Sequence, residues 1–273
     1  MLIDTHCHLD AAEFTESVSA LTLAAGQKGV RFIVVPAVAK ANFATVQSLA
    51  QQHSELVYAL GIHPLFVPQA ELSDLAVLEK SLEQAQSDPR LVAVGEIGLD
   101  FFVPELKTPA MEEKQIYFYE AQLKLALQFD LPVLLHVRRS QDLVLKSLRR
   151  HPGSKGIAHA FNGSHQQAQQ FIDLGFVLGF GGAMTFTRAK QIRRLAVDMP
   201  LEHIVLETDA PDMAPAWLNP KVDPSHYNRP AELAAIAAVL AELRQQPLAH
   251  IHRQTTQNAL RALPRLAALI GTV

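Results

Sequence analysis

Eight short apolar runs recur along the 273-residue chain, and longer segments with helical spacing separate them. Several runs are rich in Val, Ile and Phe and alternate little with polar residues, which is typical of parallel strands covered on both faces. We therefore predict eight β-strands. The runs are Leu2–His8, Phe32–Val38, Val57–His63, Val92–Leu99, Pro132–Val137, Gly156–Phe161, Phe176–Gly181 and His203–Thr208.

The segments between the runs have the periodicity of amphipathic helices. Glu112–Phe129 places its apolar residues on one stripe. A shorter helix is predicted over Gln166–Leu174, with Gly175 just after its C-terminus. After the last run, Pro230 suits the first turn of a helix, and Leu248–Leu263 predicts a terminal helix.

Eight strands that alternate with helices predict an α/β fold, a single (β/α)8 TIM barrel with residues 1–273 as one domain. Length alone also permits two small domains, and an open doubly wound sheet is the alternative architecture. In a barrel, functional groups lie at the C-terminal ends of many different strands. Polar residues should therefore cluster at the ends of the predicted strands.

Ionisable residues do lie at or just after the ends of most of these apolar runs. They are His6, His8, His63, Glu96, His136, His159 and Asp209. A lone histidine at a strand end is more often a hydrogen-bonding residue than a ligand, and an Asp before Ala-Pro is more often a turn or a helix cap. The recurrence favours a metal site, because burying such groups is costly unless they are paired or metal-bound.

The candidate metal ligands are four imidazoles and two carboxylates, namely His6, His8, His136, His159, Glu96 and Asp209. One tetrahedral zinc ion would not use six groups, whereas two metals that share a bridging carboxylate would. Mixed ligation of this kind fits Zn²⁺, Mn²⁺, Co²⁺ and Mg²⁺, so the metal stays open. Asp4 shares a strand face with His6 and His8, and we expect it to orient a ligand rather than to bind metal.

Composition narrows the class of protein. Hydrophobic residues make up 49% and charged residues 19%, which is typical of a folded globular protein. The formal net charge of −3 gives no general attraction to nucleic acid or anionic membrane, so phosphate recognition would need a local cluster. Cys7 is the only cysteine, and no leader or long apolar stretch is evident. We therefore expect a cytoplasmic protein without an intrachain disulfide.

Eight sequence blocks lie in order along nearly the whole chain: D-T-H-C-H-L-D (4–10), G-I-H-P (61–64), G-E-I-G-L-D (95–100), P-V-L-L-H-V-R (132–138), H-A-F-N-G (159–163), L-E-T-D-A-P (206–211), N-R-P (228–230) and T-x-N (256–258). H-x-H alone is a weak indicator, but G-E-I-G-L-D with L-E-T-D-A-P at this separation is specific. Together the blocks resemble the TatD-type metal-dependent hydrolases of the amidohydrolase superfamily, often called TatD deoxyribonucleases.

The resemblance implies two divalent metal cations per chain, with zinc, manganese and magnesium as candidates, and a bridging Glu96. One cation would be surrounded by His6, His8, Glu96 and Asp209, and the other by Glu96, His136 and His159. Elsewhere in the superfamily a carbamylated lysine often bridges from the fourth strand. Here that strand ends with a glutamate, which favours the TatD branch.

The resemblance further implies attack of a metal-activated water on a phosphodiester, since metal binding lowers the pKa of water from ~15.7 towards ~7. Asp209 is expected to accept the proton of the nucleophile, which makes Glu96 and Asp209 the predicted catalytic pair. Phosphate contacts are expected from His63, Arg138, Asn162 and Arg229. Arg138 could equally be a structural ion-pair partner, and His63 could serve only to order its loop.

The chain departs from the commonest family pattern at Phe101-Phe102, at Ala160 and Asn162, and at Arg229. None of these residues belongs to the predicted metal set. The departures therefore bear on substrate preference and not on hydrolase chemistry.

Three functions fit these observations. The first is a metal-dependent nuclease or phosphodiesterase that acts on DNA ends or short single strands, and the second is a hydrolase of small phosphoesters, esters or amides. The third is a non-catalytic binding module that keeps metal for stability, which the complete ligand set disfavours. The predicted partner is a phosphodiester substrate, DNA before others, with no membrane and no obligate protein partner.

Overall fold

The structure is a computed structural model that describes residues 1–219, 222–223 and 226–271. Eight strands pair in parallel with their sequence neighbours, from the first strand to the eighth. This arrangement confirms the predicted TIM barrel, and each strand overlaps its predicted run. The strands are β1 (Leu2–Asp4), β2 (Val30–Pro36), β3 (Leu56–Leu60), β4 (Leu91–Asp100), β5 (Val133–Arg138), β6 (Gly156–Ala158), β7 (Phe176–Phe180) and β8 (Ile204–Leu206).

Helices follow the strands and surround the barrel. Among the described residues they are α1 (Val18–Gln27), α2 (Phe43–Gln52), α3 (Leu72–Gln84), α4 (Pro109–Gln128), α5 (Gln141–Arg150), α6 (His165–Asp173), α7 (Lys190–Asp198), α8 (Leu233–Arg244), α9 (Leu248–Ala262) and α10 (Pro264–Gly271). No described helix is both long enough and apolar enough to span a membrane. That residues 1–273 form one domain stays a prediction.

Hydrogen bonds between the chain after β1 and the chain around β8 join the first and last strands. The amide of Thr5 donates to the carbonyl of Leu206 at 3.2 Å, and the amide of Asp209 donates to the carbonyl of His6 at 2.8 Å. The buried Asp4 carboxylate accepts the amide of Thr208 at 2.9 Å. The seam of the barrel therefore runs directly beneath two of the predicted metal ligands.

Apolar side chains form two core clusters, one on each face of the sheet. The outer cluster lies between the strands and the helices and includes the buried Cys7. The inner cluster fills the barrel with one side chain or two from each strand, and Ala259 of α9, Leu266 of α10 and Leu263 between these helices close its lower end. The lower barrel is thus a packed core, which leaves only the C-terminal ends of the strands, the barrel mouth, for function.

Every second side chain of a strand points into the barrel, and in several strands this alternation continues from the inner core to the mouth. On β5, Leu134 belongs to the inner cluster, and His136 and Arg138 follow it on the same face. On β8, Val205 is an inner residue and is followed by Glu207 and then Asp209. The functional side chains are therefore the next layer above the inner core.

A β-bulge on β4 sets the direction of Glu96. Val94 pairs with Val133 and Ile97 pairs with Leu135, so three residue steps on β4 correspond to two on β5. The extra residue interrupts the alternation and re-aims the side chains at the bulge. Glu96 consequently projects into the mouth, and its amide donates to the carbonyl of Ala37 on the other side of β4.

Most boundaries differ by a few residues from those that the sequence predicts, and three of the differences concern the first strand and the helices α4 and α8. The first run was expected to continue as a strand to His8, but β1 ends at Asp4. Beyond Asp4 the backbone also forms hydrogen bonds with β8 and the segment after it, so it does not continue a regular ladder with β2. Helix α4 begins at Pro109, earlier than Glu112, because Thr108 caps its N-terminus. Pro230 opens a short 3₁₀ turn, and α8 begins at Leu233.

Gly98 provides a test of the close approach between β4 and β5. Its φ is +145°, and a Cβ at this position would lie 2.0 Å from the carbonyl oxygen of His136. We expect Gly98→Ala to destabilise the protein by more than about 3 kcal/mol, measured as a lowered melting temperature. The matched control is Gly26→Ala in α1, where nothing lies within 4 Å of the new methyl group. An unchanged melting temperature for Gly98→Ala would contradict this account.

Candidate metal centre

Side chains from several strand ends converge at the barrel mouth. Three groups have ligand atoms that all lie within 4.8 Å of one another, and they are His6, His8 and Asp209; His6, Glu96 and His159; and His63, Glu96 and His136. The structure thus brings together all six predicted metal ligands and adds His63 to them. Their roles as ligands remain predictions.

The Glu96 carboxylate lies at the centre of this cluster and contacts a different set of histidines with each oxygen. Oε1 lies 2.9 Å from Nδ1 of His136, 2.9 Å from Nε2 of His159 and 3.1 Å from Nε2 of His63. Oε2 lies 2.9 Å from Nε2 of His6 and 3.5 Å from Nε2 of His8. One carboxylate therefore divides the cluster into two groups of imidazoles.

Asp209 completes the group on the Oε2 side. Its Oδ1 lies 3.6 Å from Nε2 of His8 and 3.8 Å from Nε2 of His6. The residue has a φ of +56°, a left-handed conformation that is uncommon for residues other than glycine, although asparagine and aspartate adopt it more readily than most. Such local strain persists where the surrounding structure fixes it, and it concentrates at functional sites.

His63 differs from the other histidines in how its ring is bonded. Its Nδ1 accepts a hydrogen bond from the amide of Leu65 at 3.0 Å, so the proton of the neutral imidazole lies on Nε2. That nitrogen faces Oε1 of Glu96 and, at 3.0 Å, Nδ1 of His136. In this arrangement His63 points a hydrogen-bond donor towards the site, although it also belongs to one of the three candidate metal groups, so its contact with substrate stays a prediction.

Two further carboxylates face the histidine nitrogens that point away from Glu96, and no role is predicted for either of them from the sequence. Asp100 Oδ2 lies 3.1 Å from Nε2 of His136, and Glu207 Oε1 lies 3.6 Å from Nδ1 of His159. A carboxylate at the far nitrogen fixes which nitrogen of a histidine faces the site. Asp100 and Glu207 lie within G-E-I-G-L-D and L-E-T-D-A-P, but only the pairing geometry distinguishes them from ordinary strand-end residues.

Glu207 itself depends on a glycine of the neighbouring strand. A Cβ at Gly179 on β7 would lie 2.2 Å from Glu207 Oε2. The other carboxylate oxygen accepts the amide of Ala160, which has a φ of +45°. Glu207 is almost completely buried, and among the described residues its Oε2 has no hydrogen-bond partner. Any side chain larger than hydrogen at position 179 would therefore displace the carboxylate that faces His159.

Burial and the surrounding imidazoles act in opposite directions on Glu96. Burial alone would raise the pKa of Glu96, but the charges of His63, His159 and His6 and the hydrogen bond with His136 hold that pKa well below its usual range. Burial, with the charge of His159, lowers the pKa of His6 to about 3. The centre of the site is consequently an ionised carboxylate beside a neutral imidazole.

Three other members of the cluster have raised pKa values. Burial opposes a charge on His8, but Glu96 and Asp209 outweigh it and raise the pKa of His8 to about 9. Burial raises the pKa of the Asp209 carboxyl to about 6. The pKa of His159 is also raised, because the carboxylates of Glu96 and Glu207 outweigh its burial. Without a cation, the cluster therefore retains protons on His8 and His159.

The donor set fits divalent metal ions. Several imidazole nitrogens face one another at hydrogen-bonding distance, such as Nε2 of His6 and Nε2 of His8 at 3.3 Å, and Nε2 of His159 and Nδ1 of His136 at 3.5 Å. In each pair only one of the two facing nitrogens can donate, whereas the lone pairs of both can point at a cation once the protons are displaced. Mixed imidazole and carboxylate donors of this kind suit Zn²⁺ and Mn²⁺.

A cavity of about 890 Å³ opens above the cluster. Of the residues predicted to contact phosphate, His63, Arg138 and Asn162 line it. Arg229 does not line it, because its guanidinium donates to Glu16 Oε1 at 2.8 Å and stacks 4.2 Å above the ring of Tyr227. The predicted substrate contact of Arg229 is therefore untested, and the structure gives it no support.

Asp4 lies below the ligands, as its position in β1 implies. Its Oδ1 accepts the amides of Thr208 at 2.9 Å and His6 at 3.3 Å, and Oδ2 bonds to the Thr208 hydroxyl at 2.5 Å. Burial raises the pKa of Asp4 to about 8. Asp4 thus fixes the backbone of His6 against the segment after β8, and it is absent from the three candidate metal groups.

Comparison with known proteins agrees with this geometry. A family model described as TatD related DNase matches residues 3–264. The chain belongs to the TatD family. Among its TatD relatives is YjjV of Escherichia coli strain K12, which bears the description of a metal-dependent hydrolase. The two are 40% identical over 257 residues, which cover 94% of this chain and 95% of YjjV.

Other relatives lead to the same assignment. A metal-dependent hydrolase of Haemophilus influenzae is 40% identical over 260 residues, covering 94% of this chain and 97% of that protein. The putative deoxyribonuclease tatdn3 of Danio rerio is 30% identical over 271 residues, covering 97% of each. The crystal structure of YjjV, described as a TatD homologue, has a TM-score of 0.88 at 39% identity, over 96% of this chain and 98% of that one. This TatD protein is a metal-dependent hydrolase.

The raised pKa values of His8 and His159 predict how metal affinity depends on pH. A cation must displace the protons that these histidines carry at neutral pH, so affinity rises as pH increases from 7 towards 9, by up to about tenfold per unit for each proton displaced. Titration calorimetry with Mn²⁺ in two buffers of different ionisation enthalpy measures both the affinity and the protons released. An affinity that stays constant between pH 7 and 9 would contradict the assigned protonation.

The contact between Asp100 and His136 predicts that a substitution of Asp100 lowers metal affinity even though every candidate ligand is unchanged. We expect Asp100→Asn to weaken metal binding by about 10–100-fold, because the amide no longer fixes the ring of His136. Metal stoichiometry and affinity of the purified variant provide the measurement. The control is Asp130→Asn, an exposed position with a φ of +48° that asparagine adopts readily. Equal affinities in the two variants would count against the supporting role.

Proposed function

We propose that this TatD protein is a phosphodiesterase that cleaves DNA at a site for two divalent cations bridged by Glu96. The observation that carries the proposal is the division of the cluster by the two oxygens of that carboxylate. Oε1 faces His136 and His159 at 2.9 Å, and Oε2 faces His6 at 2.9 Å. A bridging carboxylate between two groups of ligands is the arrangement expected of a two-metal hydrolase.

The residues that would hold the cations follow from this division. One ion would be held by His6, His8, Glu96 and Asp209, and the other by Glu96, His136 and His159. Zinc, manganese and magnesium remain the candidates. Bound there, the cations would neutralise charge on a phosphate and supply a nucleophile at neutral pH by lowering the pKa of bound water to about 7.

Asp209 is the residue placed to accept the proton of the nucleophile. Its carboxylate is 13% exposed, and it lines the cavity beside His8. A general base works best when its pKa lies near the working pH, and before a cation binds, burial raises the pKa of Asp209 to about 6. Glu96, at 2% exposure and with a strongly lowered pKa, stays ionised and is suited to hold charge rather than to exchange protons.

The cavity wall beside the cluster supplies donors for a phosphate. Nε2 of His63 carries a proton towards the site, and the Arg138 guanidinium lies on the same strand face as His136, nearer to solvent. Asn162 lines the cavity after β6. A volume of about 890 Å³ is within the range of small-molecule sites and is large enough for a nucleotide.

DNA is preferred among phosphodiesters on two grounds. The matching family model is described as a DNase, and the zebrafish relative is named a putative deoxyribonuclease. The formal net charge of −3 means that attraction for a polyanion has to be local, and the arginines at the mouth meet that requirement. We propose no protein partner and no membrane for this activity, and a cytoplasmic location.

The test is hydrolysis by protein reconstituted with Mn²⁺, Zn²⁺ or Mg²⁺ and offered four substrates. These are single-stranded DNA, duplex DNA, bis-(p-nitrophenyl) phosphate and a simple aryl ester. We expect cleavage of DNA and of the phosphodiester in the presence of metal and none with a chelator. Hydrolysis of the aryl ester alone would refute the phosphodiesterase assignment.

The bridging role predicts the effect of a single substitution. Glu96→Ala removes the carboxylate shared by both metals, so we expect activity to fall at least about 10³-fold and fewer than two cations to be retained. The control is Glu113→Ala on the exposed face of α4, which should leave rate and metal content unchanged. Activity that survives Glu96→Ala would exclude the bridged two-metal mechanism.

A further inference from the structure

Two arginines that follow His136 surround one aromatic ring at the mouth. The guanidinium carbon of Arg138 lies 3.8 Å from the ring centroid of Phe102, and that of Arg139 lies 4.7 Å from it. All three residues line the cavity, and we call them the arginine–phenylalanine cluster. Stacking on a ring restrains the flexible guanidinium groups and leaves their N–H groups free to bind an anion.

The two arginines differ in how much of their charge is already balanced. Arg138 Nη1 lies 3.8 Å from Asp100 Oδ2, the carboxylate that also bonds to His136. Within the described part of the chain, Arg139 forms no ion pair. The cluster therefore carries one cation that is partly neutralised and one that is not.

The backbone at Arg139 supports a functional role for its side chain. Its φ is +54°, a left-handed conformation that disfavours any side chain other than that of glycine or asparagine. This conformation turns the chain sharply between β5 and α5, and it allows two consecutive arginines to reach the same ring. An arginine at a strained position beside a cavity indicates a binding role more strongly than an arginine on a helix surface does.

Charge is distributed unequally around the mouth. Asp10 and Glu13 line the cavity after β1, and Asp212 lines it after β8. In an eight-stranded barrel these strands lie across the mouth from β4 and β5, which carry the arginine–phenylalanine cluster. An anionic group of the substrate that is not at the metals is therefore repelled from the β8–β1 side and attracted to the β4–β5 side.

We propose that the arginine–phenylalanine cluster is a second phosphate subsite, which binds a phosphate group next to the one that is cleaved. The inference rests on the proposed phosphodiesterase function. Two residues on a strand are separated by about 6.6 Å, so Arg138 lies roughly one phosphate spacing above His136. Arg138 and Arg139 bind the phosphate, and Phe102 is a positioning residue that holds their guanidinium groups. The preferred substrates carry a second phosphate beside the scissile phosphodiester.

The test compares three dinucleotides with the metal-loaded protein. They are the thymidine dinucleotide without a terminal phosphate, with a 5′-phosphate and with a 3′-phosphate, and chromatography follows cleavage of the internal bond. We expect one of the phosphorylated forms to be preferred about tenfold in kcat/KM, the effect of one charge-assisted hydrogen bond. Equal values for all three would overturn the subsite and leave phosphodiester hydrolysis intact.

Two variants assign the preference to the cluster. Asparagine tolerates the left-handed backbone at position 139. In Arg139→Asn the ratio of kcat/KM between the preferred phosphorylated dinucleotide and the unphosphorylated one should fall close to one, and the change should appear in KM rather than in kcat. Phe102→Leu should reduce the preference in the same way, and Phe102→Tyr should restore it. A preference that persists in Arg139→Asn, or a Phe102→Leu effect confined to kcat, would overturn the assignment.

A matched control and a separate arm distinguish failure of the subsite from failure of the function. Arg31 stacks 6.0 Å above Phe32 at the opposite end of the barrel, so Arg31→Gln should keep the wild-type preference. A reduced preference in that variant would show a non-specific effect of charge and overturn the subsite. If no dinucleotide is cleaved, the subsite is refuted, and single-stranded DNA tested in parallel decides whether the phosphodiesterase function is refuted as well.

Discussion

The fold positions one ionised carboxylate, that of Glu96, among the imidazoles of five histidines. Most other features of the mouth hold the carboxylate and these imidazoles in contact. A buried carboxylate is unfavourable unless it is paired, and here the histidine rings provide the pairing. Its two oxygens lie 2.9 Å from His6 on one side and 2.9 Å from His136 and His159 on the other. Replacing hydrogen bonds to imidazole with bonds to cations would preserve this division while removing the excess protons.

The structure around that contact is restrained at several levels. The bulge on β4 aims Glu96 into the mouth, and Asp4 fixes the backbone that carries His6. Asp100 and Glu207 approach the far nitrogens of His136 and His159. Left-handed residues occur directly after or at the ligands, which indicates that packing imposes local strain to position them. A rigid barrel below the mouth makes this possible, because its inner cluster leaves the strands no freedom to shift.

Membership of the TatD family gives this centre its chemistry, while the cavity wall gives this chain its selectivity. The candidate ligands come from the strand ends and lie within the residues that the TatD family model matches. The side chains that can discriminate among substrates lie one layer higher, on the loops after β4 and β5 and, across the mouth, after β1 and β8. The charges of these side chains are positive on the β4–β5 side and negative on the β8–β1 side, so the mouth is electrostatically asymmetric although the barrel beneath it is symmetric.

The pattern of residues along the chain was sufficient to predict the barrel and six side chains that meet at its mouth. Apolar runs specify buried strands because both faces of each strand are covered, and a polar residue that ends such a run can only be tolerated where the strand emerges from the core. The positions of His136 and His159 follow from this rule, since both continue the inner face of a strand. These features depend on local alternation, which a sequence displays directly.

Which side chains contact one another follows from the tertiary structure and not from the local sequence pattern. Asp100 and Glu207 resemble any strand-end carboxylate until another strand brings a histidine within reach. Arg229 lies within the N-R-P block (228–230) and was expected near phosphate, but its guanidinium donates to Glu16, more than two hundred residues away in sequence. The direction of Glu96 depends on a one-residue slip between β4 and β5. Pairing across strands and register are set by packing between distant segments, so the local pattern of the chain does not contain them.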